Sequence, residues 1–366
     1  VPYEAVNYYG KDFRSHPVGT GPFTFVKWNE GDLLLLHKND NYFEIDANGN
    51  KIPYLDAINF HFIANKSTEF LKFMNGELDF VSDIDASLQR SILTRDGQLQ
   101  EKYAKQFHLI KGPYLNVEYL TILMDASGQH ALNPLTEMKI RKAINYAINR
   151  SEMLLFLRNN RGIPAHDGMI PPSLYLQPAY PAIGYKYDPT KAIALLKEAG
   201  FENGIGLPEI VLHTTEQYQD IAIYIKDKLE NIGIVLRVET VDPRILREMR
   251  VNKQTYFFRS SWIADYSDAE SYLQLFYGKA GAPPNYARYQ NPVYDSMFEQ
   301  AVAEVDIVQR DRLFRSMDSL LMQDAPVVPL YYDEIYRFVH HDITGLEPDA
   351  LNMLQLKKVQ KNIISK

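Results

Sequence analysis

Cysteine is absent from the 366-residue sequence, which excludes disulfide frameworks, thiolate metal sites and cysteine nucleophiles. Long apolar runs are also missing, because the longest, such as residues 33–36, fall far short of the roughly 18 residues that cross a bilayer. Basic stripes are absent too, and the formal net charge is −7. Nucleic acid is therefore not an expected partner. The compartment stays open, since a chain without cysteine suits oxidising and reducing surroundings alike.

Catalytic motifs are missing as well. The sequence contains no G-x-S-x-G, P-loop, H-E-x-x-H or dinucleotide fingerprint. Residues 46–57 resemble a calcium loop, but Lys51 replaces the required glycine and Ala57 the required glutamate. We therefore predict no catalytic residue, no metal site and no cofactor, although spacing alone leaves a pair of hydrolytic carboxylates open.

The composition is that of a globular protein with more than one domain. Hydrophobic residues make up 46% and charged residues 23% of the sequence, and its length favours two domains. Gly112 and Pro113 follow a strand-like run at 108–110. Because this pair interrupts regular structure, we place the first domain boundary there.

Several helices and turns have clear signals at their ends. Ser67 is predicted to cap a helix that Gly76 closes. Asp188 and Pro189 predict a cap and a first helical residue, and Gly200 ends that helix. Two further helices are expected near 293–305 and 309–323, followed by strand-like runs at 327–332 and 335–339.

An alternating pattern begins at residue 209. Strands and helices follow one another at 210–214, 217–232, 235–241, a short helix, and 256–259. This βαβαβ order favours a parallel or mixed sheet covered by helices, in which ligands meet the carboxyl ends of the strands. Residues 259–268 follow the last of these strands directly.

Three residues in that segment suggest a ligand site. Asp265 close to Trp262 would bind an ammonium group through a charge-assisted hydrogen bond with aromatic support, although an aspartate here is also typical of a turn. Arg259 would pair with a ligand carboxylate or with a neighbouring glutamate, and the residues alone favour the neighbour. Tyrosine is abundant at 25 residues, and clusters such as Tyr331-Tyr332 and Tyr266 with Tyr272 suggest a groove, although most tyrosines belong to core or rim.

Seven segments resemble, in order, the motifs of extracellular solute-binding protein family 5, the oligopeptide- and dipeptide-binding proteins of bacterial ABC importers. They are residues 17–23 (P-V-G-T-G-P-F), 39–43, 74–79 (M-N-G-E-L-D), 140–150, 188–201, 262–268 and 291–295. The resemblance covers essentially the whole chain. One departure within the motifs is Asn149, where the family usually has aspartate.

The resemblance implies an α/β, two-lobed periplasmic-binding-protein-like fold of type II, with mixed sheets flanked by helices. Only 18 residues precede Gly19 of the glycine-rich motif, which lies well inside the family's proteins. We therefore expect a fragment that lacks the amino-terminal third of the family. Residues 1–112 and 330–366 would then form an incomplete fixed lobe, and residues 113–329 the mobile ligand-binding lobe.

The resemblance also implies residue roles. From their positions in the motif at residues 262–268, Asp265 would bind the α-amino group of a peptide and Trp262 would line the cleft. The remaining positions implied for the ligand are Arg259, near a carboxylate, and Tyr114, Tyr218 and Tyr266. A second tryptophan that some oligopeptide binders place near Pro243 is absent from this sequence, which leaves peptide length and side-chain preference open.

The function implied by the resemblance is binding, not catalysis: a substrate-binding protein captures short peptides in an interlobe cleft and delivers them to ABC permease subunits. It would act as a monomer in the periplasm, or at the cell surface as a lipoprotein. Two alternatives stay open, the same scaffold with a metal chelate, haem or oligosaccharide, and a hydrolase. Asp265 disfavours the first because those ligands lack an α-ammonium group, and the absence of a nucleophile motif disfavours the second.

Overall fold

The structure is a computed structural model and describes residues 2–84, 86–125, 133–176 and 181–362. The chain divides into unit 1, residues 1–112 with 335–366, and unit 2, residues 113–334. The first division lies between Gly112 and Pro113, and the second at 334/335, where the sequence had suggested about 330. The assignment of a fixed and a mobile lobe to these units stays a prediction.

The α-helices of the described residues are α1 (Tyr3–Tyr9), α2 (Lys66–Met74), α3 (Ala86–Ile92), α4 (Met138–Ala147), α5 (Arg150–Leu157), α6 (Pro189–Glu198), α7 (Gln219–Glu230), α8 (Pro243–Val251), α9 (Glu270–Leu273), α10 (Pro292–Ala303) and α11 (Ile307–Asp324). The strands are β1 (Phe23–Asn29), β2 (Leu33–Lys38), β3 (Ala57–His61), β4 (Phe80–Ser82), β5 (Phe107–Ile122), β6 (Ile163–Pro164), β7 (Ile210–Thr214), β8 (Leu236–Thr240), β9 (Phe257–Ile263), β10 (Val327–His340), β11 (Ile343–Thr344) and β12 (Gln360–Lys361).

Unit 1 contains an antiparallel sheet in the order β1-β2-β3, and a second pairing of β4 with the last part of β10. Aromatic side chains fill the core beside α2, where Phe73 and Phe107 are fully buried with ring centroids 5.0 Å apart. The helix α2 is capped by Asn65, whose side chain accepts a hydrogen bond from the Thr68 amide at 2.8 Å. The predicted cap Ser67 was wrong, because asparagine caps as well as serine and stands two residues earlier.

Unit 2 is built on a mixed sheet in the order β10-β5-β9-β7-β8. Strand β7 runs parallel to β8 and β9, whereas β9 runs antiparallel to β5. Helices α4, α6 and α7 contribute to its core, in which Ile144, Leu196 and Ile225 are fully buried. The mixed sheet agrees with the βαβαβ pattern, and Asp188 caps α6 by accepting from the Lys191 amide at 2.9 Å.

Three predicted strand limits were wrong. Strand β9 continues to Ile263 instead of ending at Arg259, because residues 116–122 of β5 supply backbone partners along its length. Strand β5 runs through Gly112 and Pro113 without a break, and β10 is one strand rather than two. Ser260, in the part of β9 beyond Arg259, is buried, and its hydroxyl lies 2.8 Å from that of Thr121.

Tyrosines expected to line a groove mostly belong to the core. Tyr272, Tyr331 and Tyr332 are at most 2% exposed, and the Tyr272 hydroxyl donates to the Leu115 carbonyl at 2.8 Å. Tyr266, in contrast, is 42% exposed. Of these four side chains, only Tyr266 is accessible to a ligand.

A buried carboxylate anchors the loop at residues 165–176. Asp318 on α11 accepts hydrogen bonds from the amides of Met169 at 2.9 Å and Ile170 at 3.1 Å, and from the Tyr175 hydroxyl at 3.0 Å. Burial raises the pKa of Asp318 to about 6. Gly168 lies against this carboxylate with φ of +111°, and a Cβ there would stand 2.4 Å from Asp318 Oδ2.

Gly168→Ala is therefore expected to destabilise the protein. A methyl group would displace the anchoring carboxylate and would hold a left-handed backbone, which costs about 2–4 kcal/mol of unfolding free energy. Thermal unfolding should show a midpoint lower by roughly 5–15 °C. Gly281→Ala is the matched control, because a Cβ at Gly281 meets nothing within 4 Å. Equal melting of the two variants would contradict the packing described for Gly168.

Candidate ligand-binding site

Asp265 lies just beyond the carboxyl end of β9 and is exposed. Its amide donates to the hydroxyl of Ser271 at 3.1 Å, and Trp262 Nε1 donates to the same hydroxyl at 3.3 Å. Ser271 is fully buried at the start of α9. One buried hydroxyl therefore fixes both the indole of Trp262 and the backbone that carries the Asp265 carboxylate.

The carboxylate of Asp265 differs from the other acids on its loop. Asp268 and Glu270 both pair with Arg310, the second at 3.0 Å. Among the residues that the structure describes, none forms a hydrogen bond or an ion pair with the Asp265 carboxylate. Tyr266 is its exposed neighbour. The loop thus presents one uncompensated negative charge to solvent.

Arg259 forms an ion pair inside unit 2. Its Nε and Nη2 donate to the two carboxylate oxygens of Glu118 on β5, with Nη2 2.7 Å from Oε2. The guanidinium carbon lies 3.6 Å from the centroid of the Tyr218 ring. The neighbouring glutamate that the sequence favoured as partner of Arg259 is therefore Glu118, 141 residues away.

Further polar side chains lie beside this pair. Asn116 on β5 donates to Asp333 Oδ2 at 3.3 Å, and its own Oδ1 is buried without a partner among the described residues. Arg158 lies 4.0 Å from Asp333. Burial, together with the charge of Asp333, raises the pKa of Tyr114. Tyr114 therefore belongs to the same polar group of side chains.

The strand register separates the six predicted residues into two groups. Glu118 opposes Ser261 and Val117 opposes Trp262, so Arg259 and Trp262 project from opposite faces of the sheet. Arg259 and Tyr218 lie around Glu118, and Tyr114 belongs to the same group through Tyr218 and Asp333. Asp265, Trp262 and Tyr266 form the other, around Ser271. Both groups lie toward the edge where β7 and β9 end.

Glu118, Asn116 and Ser271 were not predicted from the sequence as residues of the site. The signal for the first two was present, because the polar Asn116 and Glu118 alternate with the apolar Leu115 and Val117. Such alternation predicts a strand with one polar face. No comparable signal exists for Ser271, whose role depends on the fold of the loop before α9.

The described residues contain no cluster of three or more histidine, aspartate or glutamate side chains able to hold a metal ion. Across the same residues, no helix combines the length and the apolar character that a membrane span requires.

Residues 1–284 match the family described as bacterial extracellular solute-binding proteins, family 5 Middle. The chain belongs to this family. The resemblance predicted from its motifs is thereby confirmed. Among curated relatives of this family 5 protein, the glutathione-binding protein GsiB of Shigella flexneri serotype 5b is 27% identical over 356 residues, which cover 94% of the chain and 65% of the relative. The chain thus spans about 65% of the length of that relative.

Solved structures of similar fold cover almost the whole family 5 chain. The substrate-binding protein CtaP of Listeria monocytogenes superposes with a TM-score of 0.78 at 21% identity, covering 97% of this chain and 71% of that one. DppA of Helicobacter pylori, in complex with the peptide STSA, gives 0.74 at 23% identity, covering 99% and 68%. The predicted α/β fold of the periplasmic binding proteins, a mixed sheet flanked by helices, is confirmed.

Proposed function

We propose that this family 5 protein is the substrate-binding component of an ABC importer and captures short peptides by their amino terminus. The observation that carries the proposal is the exposed Asp265 carboxylate, which no described residue neutralises although Arg310 neutralises both Asp268 and Glu270. An α-ammonium group offers three donors and the missing positive charge.

The other residues of the site would complete recognition. Trp262 and Tyr266 would give aromatic surface beside the ammonium group, which favours a cation. Arg259 would meet a ligand carboxylate, and Tyr114 and Tyr218 would contact the peptide between its ends. Water filling the remaining space would tolerate varied side chains.

Two relatives support a peptide ligand. GsiB is named as a glutathione-binding protein, and DppA of H. pylori was solved with a peptide. Glutathione carries an α-ammonium group and two carboxylates, so it offers the charges that Asp265 and Arg259 would bind. After capture, the protein would deliver the peptide to the permease subunits as a monomer, in the periplasm or from a lipid anchor at the cell surface.

Mass spectrometry and calorimetry would test the proposal. Native mass spectrometry of the protein as purified should show a retained peptide mass, and calorimetry should show binding of a tripeptide or glutathione but not of haem, a metal chelate or an oligosaccharide. The peptide should be recovered intact after incubation, as expected for a binding protein. Retention of a ligand without an α-ammonium group, together with no heat from any peptide, would contradict the proposed function.

A further inference from the structure

The ion pair of Glu118 and Arg259 leaves one edge of the guanidinium uncommitted. Glu118 accepts hydrogen bonds from Nε and Nη2 of Arg259. Nη1 of Arg259 has no hydrogen-bond partner within the part of the chain that the structure describes. The Arg259 side chain is 18% exposed and that of Glu118 only 1%. A ligand can therefore reach the pair from the arginine side alone.

Tyr218 fixes the plane of the same guanidinium, whose carbon lies 3.6 Å from the ring centroid. The two hydrogen bonds to Glu118 fix how the guanidinium is rotated within that plane. The orientation of Arg259 is therefore set before a ligand binds. Planar donors that are already oriented bind a carboxylate at a smaller entropic cost than mobile ones.

We infer that Glu118 is a positioning residue that presents Nη1 of Arg259 to a ligand carboxylate, and that binding of this carboxylate is accompanied by proton uptake at Glu118. The inference rests on the proposed function and narrows its ligand class to peptides with a free carboxylate within reach of Arg259. The bound carboxylate would lie close to a buried carboxylate, and like charges at short distance favour protonation of the buried one.

Glu118 is surrounded by titratable groups from every neighbouring element. They are Arg259 on β9, Tyr119 on β5, Tyr331 and Asp333 on β10, Tyr218 before α7 and Arg158 after α5. Burial raises the pKa of Glu118 to about 7, although Arg259 opposes that rise. A small added negative charge would therefore change its protonation near neutral pH.

The direction of the pH dependence follows from linkage. A bound carboxylate raises the pKa of Glu118 above its value in the free protein, so affinity increases as pH falls toward about 7. Below that pH the free protein is already protonated and affinity levels off. The peptide's own α-amino group has a pKa near 8 and titrates in the same range. A peptide acid and the same peptide with a C-terminal amide both carry this α-amino group. The ratio of their affinities therefore cancels the effect of its titration.

The test measures that acid-to-amide ratio by calorimetry between pH 6 and 8.5. In the wild-type protein the ratio should rise by roughly three- to tenfold as pH falls, since one unit of pKa is a factor of ten. In Glu118→Gln, which keeps the volume and an acceptor for Arg259, the ratio should not vary with pH. In Glu118→Ala the ratio should fall toward one, because Tyr218 still sets the plane of the Arg259 guanidinium but nothing then fixes its rotation within that plane.

Glu152→Gln provides the matched control, since Glu152 pairs with Lys228 at 2.9 Å elsewhere in unit 2. It should keep the wild-type pH profile. A ratio that titrates equally in wild type and Glu118→Gln, or that is flat in wild type, would overturn the inference. Failure of the proposed function would differ, because peptide acid and amide would then both fail to bind at every pH.

Discussion

Asp265→Asn is expected to weaken the binding of peptides with a free amino terminus by roughly 10- to 100-fold. The substitution keeps the shape and the backbone contact to Ser271 but removes the charge, and hydrogen bonds to charged groups contribute about 1.5–3 kcal/mol. The measurement is calorimetric affinity for one tripeptide in the wild-type protein and the variant.

Asp227→Asn is the matched control for this change. Asp227 lies on α7 and is also exposed, but it stands away from the loop after β9. It should leave peptide affinity within about twofold, as surface substitutions away from a site usually do. Equal affinity of Asp265→Asn and wild type for the peptide would show that the Asp265 carboxylate does not bind it.

Arg150→Met is expected to cause the largest loss of stability. Arg150 is fully buried at the start of α5 and donates to the carbonyls of Pro329 at 2.6 Å, Asn145 at 3.0 Å and Tyr185 at 3.3 Å. No carboxylate of the described residues pairs with it, and burial lowers the pKa of Arg150 to about 10. Its guanidinium therefore acts as a hydrogen-bond hub that joins α4, α5 and β10.

Methionine would fill most of the volume of Arg150 but leave these carbonyls without donors. Each unsatisfied buried group costs about 1–3 kcal/mol, so we expect a loss of about 3–5 kcal/mol in the free energy of unfolding. Chemical denaturation monitored by circular dichroism would measure it. Arg312→Met, at an exposed position of α11, should change stability by less than about 0.5 kcal/mol. A comparably small loss for Arg150→Met would show that the hub contributes little.

Local chemistry explains which parts of the fold were predictable. The cap at Asp188 and the alternation that produces β7, α7, β8 and β9 depend on residues close in sequence. The extent of β9 was not predictable in the same way, because its last residues pair with β5 about 145 positions earlier. Serine favours turns locally, yet a neighbouring strand that supplies hydrogen-bond partners overrides this preference.

The candidate site shows the same division. The position of Asp265 after a strand was predictable from the pattern, and so was its proximity to Trp262. That its carboxylate forms no ion pair with the described residues was not predictable. Arg310, the cation that pairs with Asp268 and Glu270 on the same loop, lies on α11, 42 residues from Asp268. The ion pair between Arg259 and Glu118 depends on the register of β9 against β5. That register was not predicted, because β9 was expected to end at Arg259.

Whether Asp265 binds the peptide's ammonium group is tested by combining Asp265→Asn with acetylation of the peptide's amino terminus in a double cycle of affinities. If the ammonium group binds Asp265, acetylation should weaken binding to the wild-type protein by roughly 10- to 100-fold but to the variant by no more than about threefold. If both proteins lose affinity equally on acetylation, the ammonium group is recognised elsewhere and the account of Asp265 is wrong.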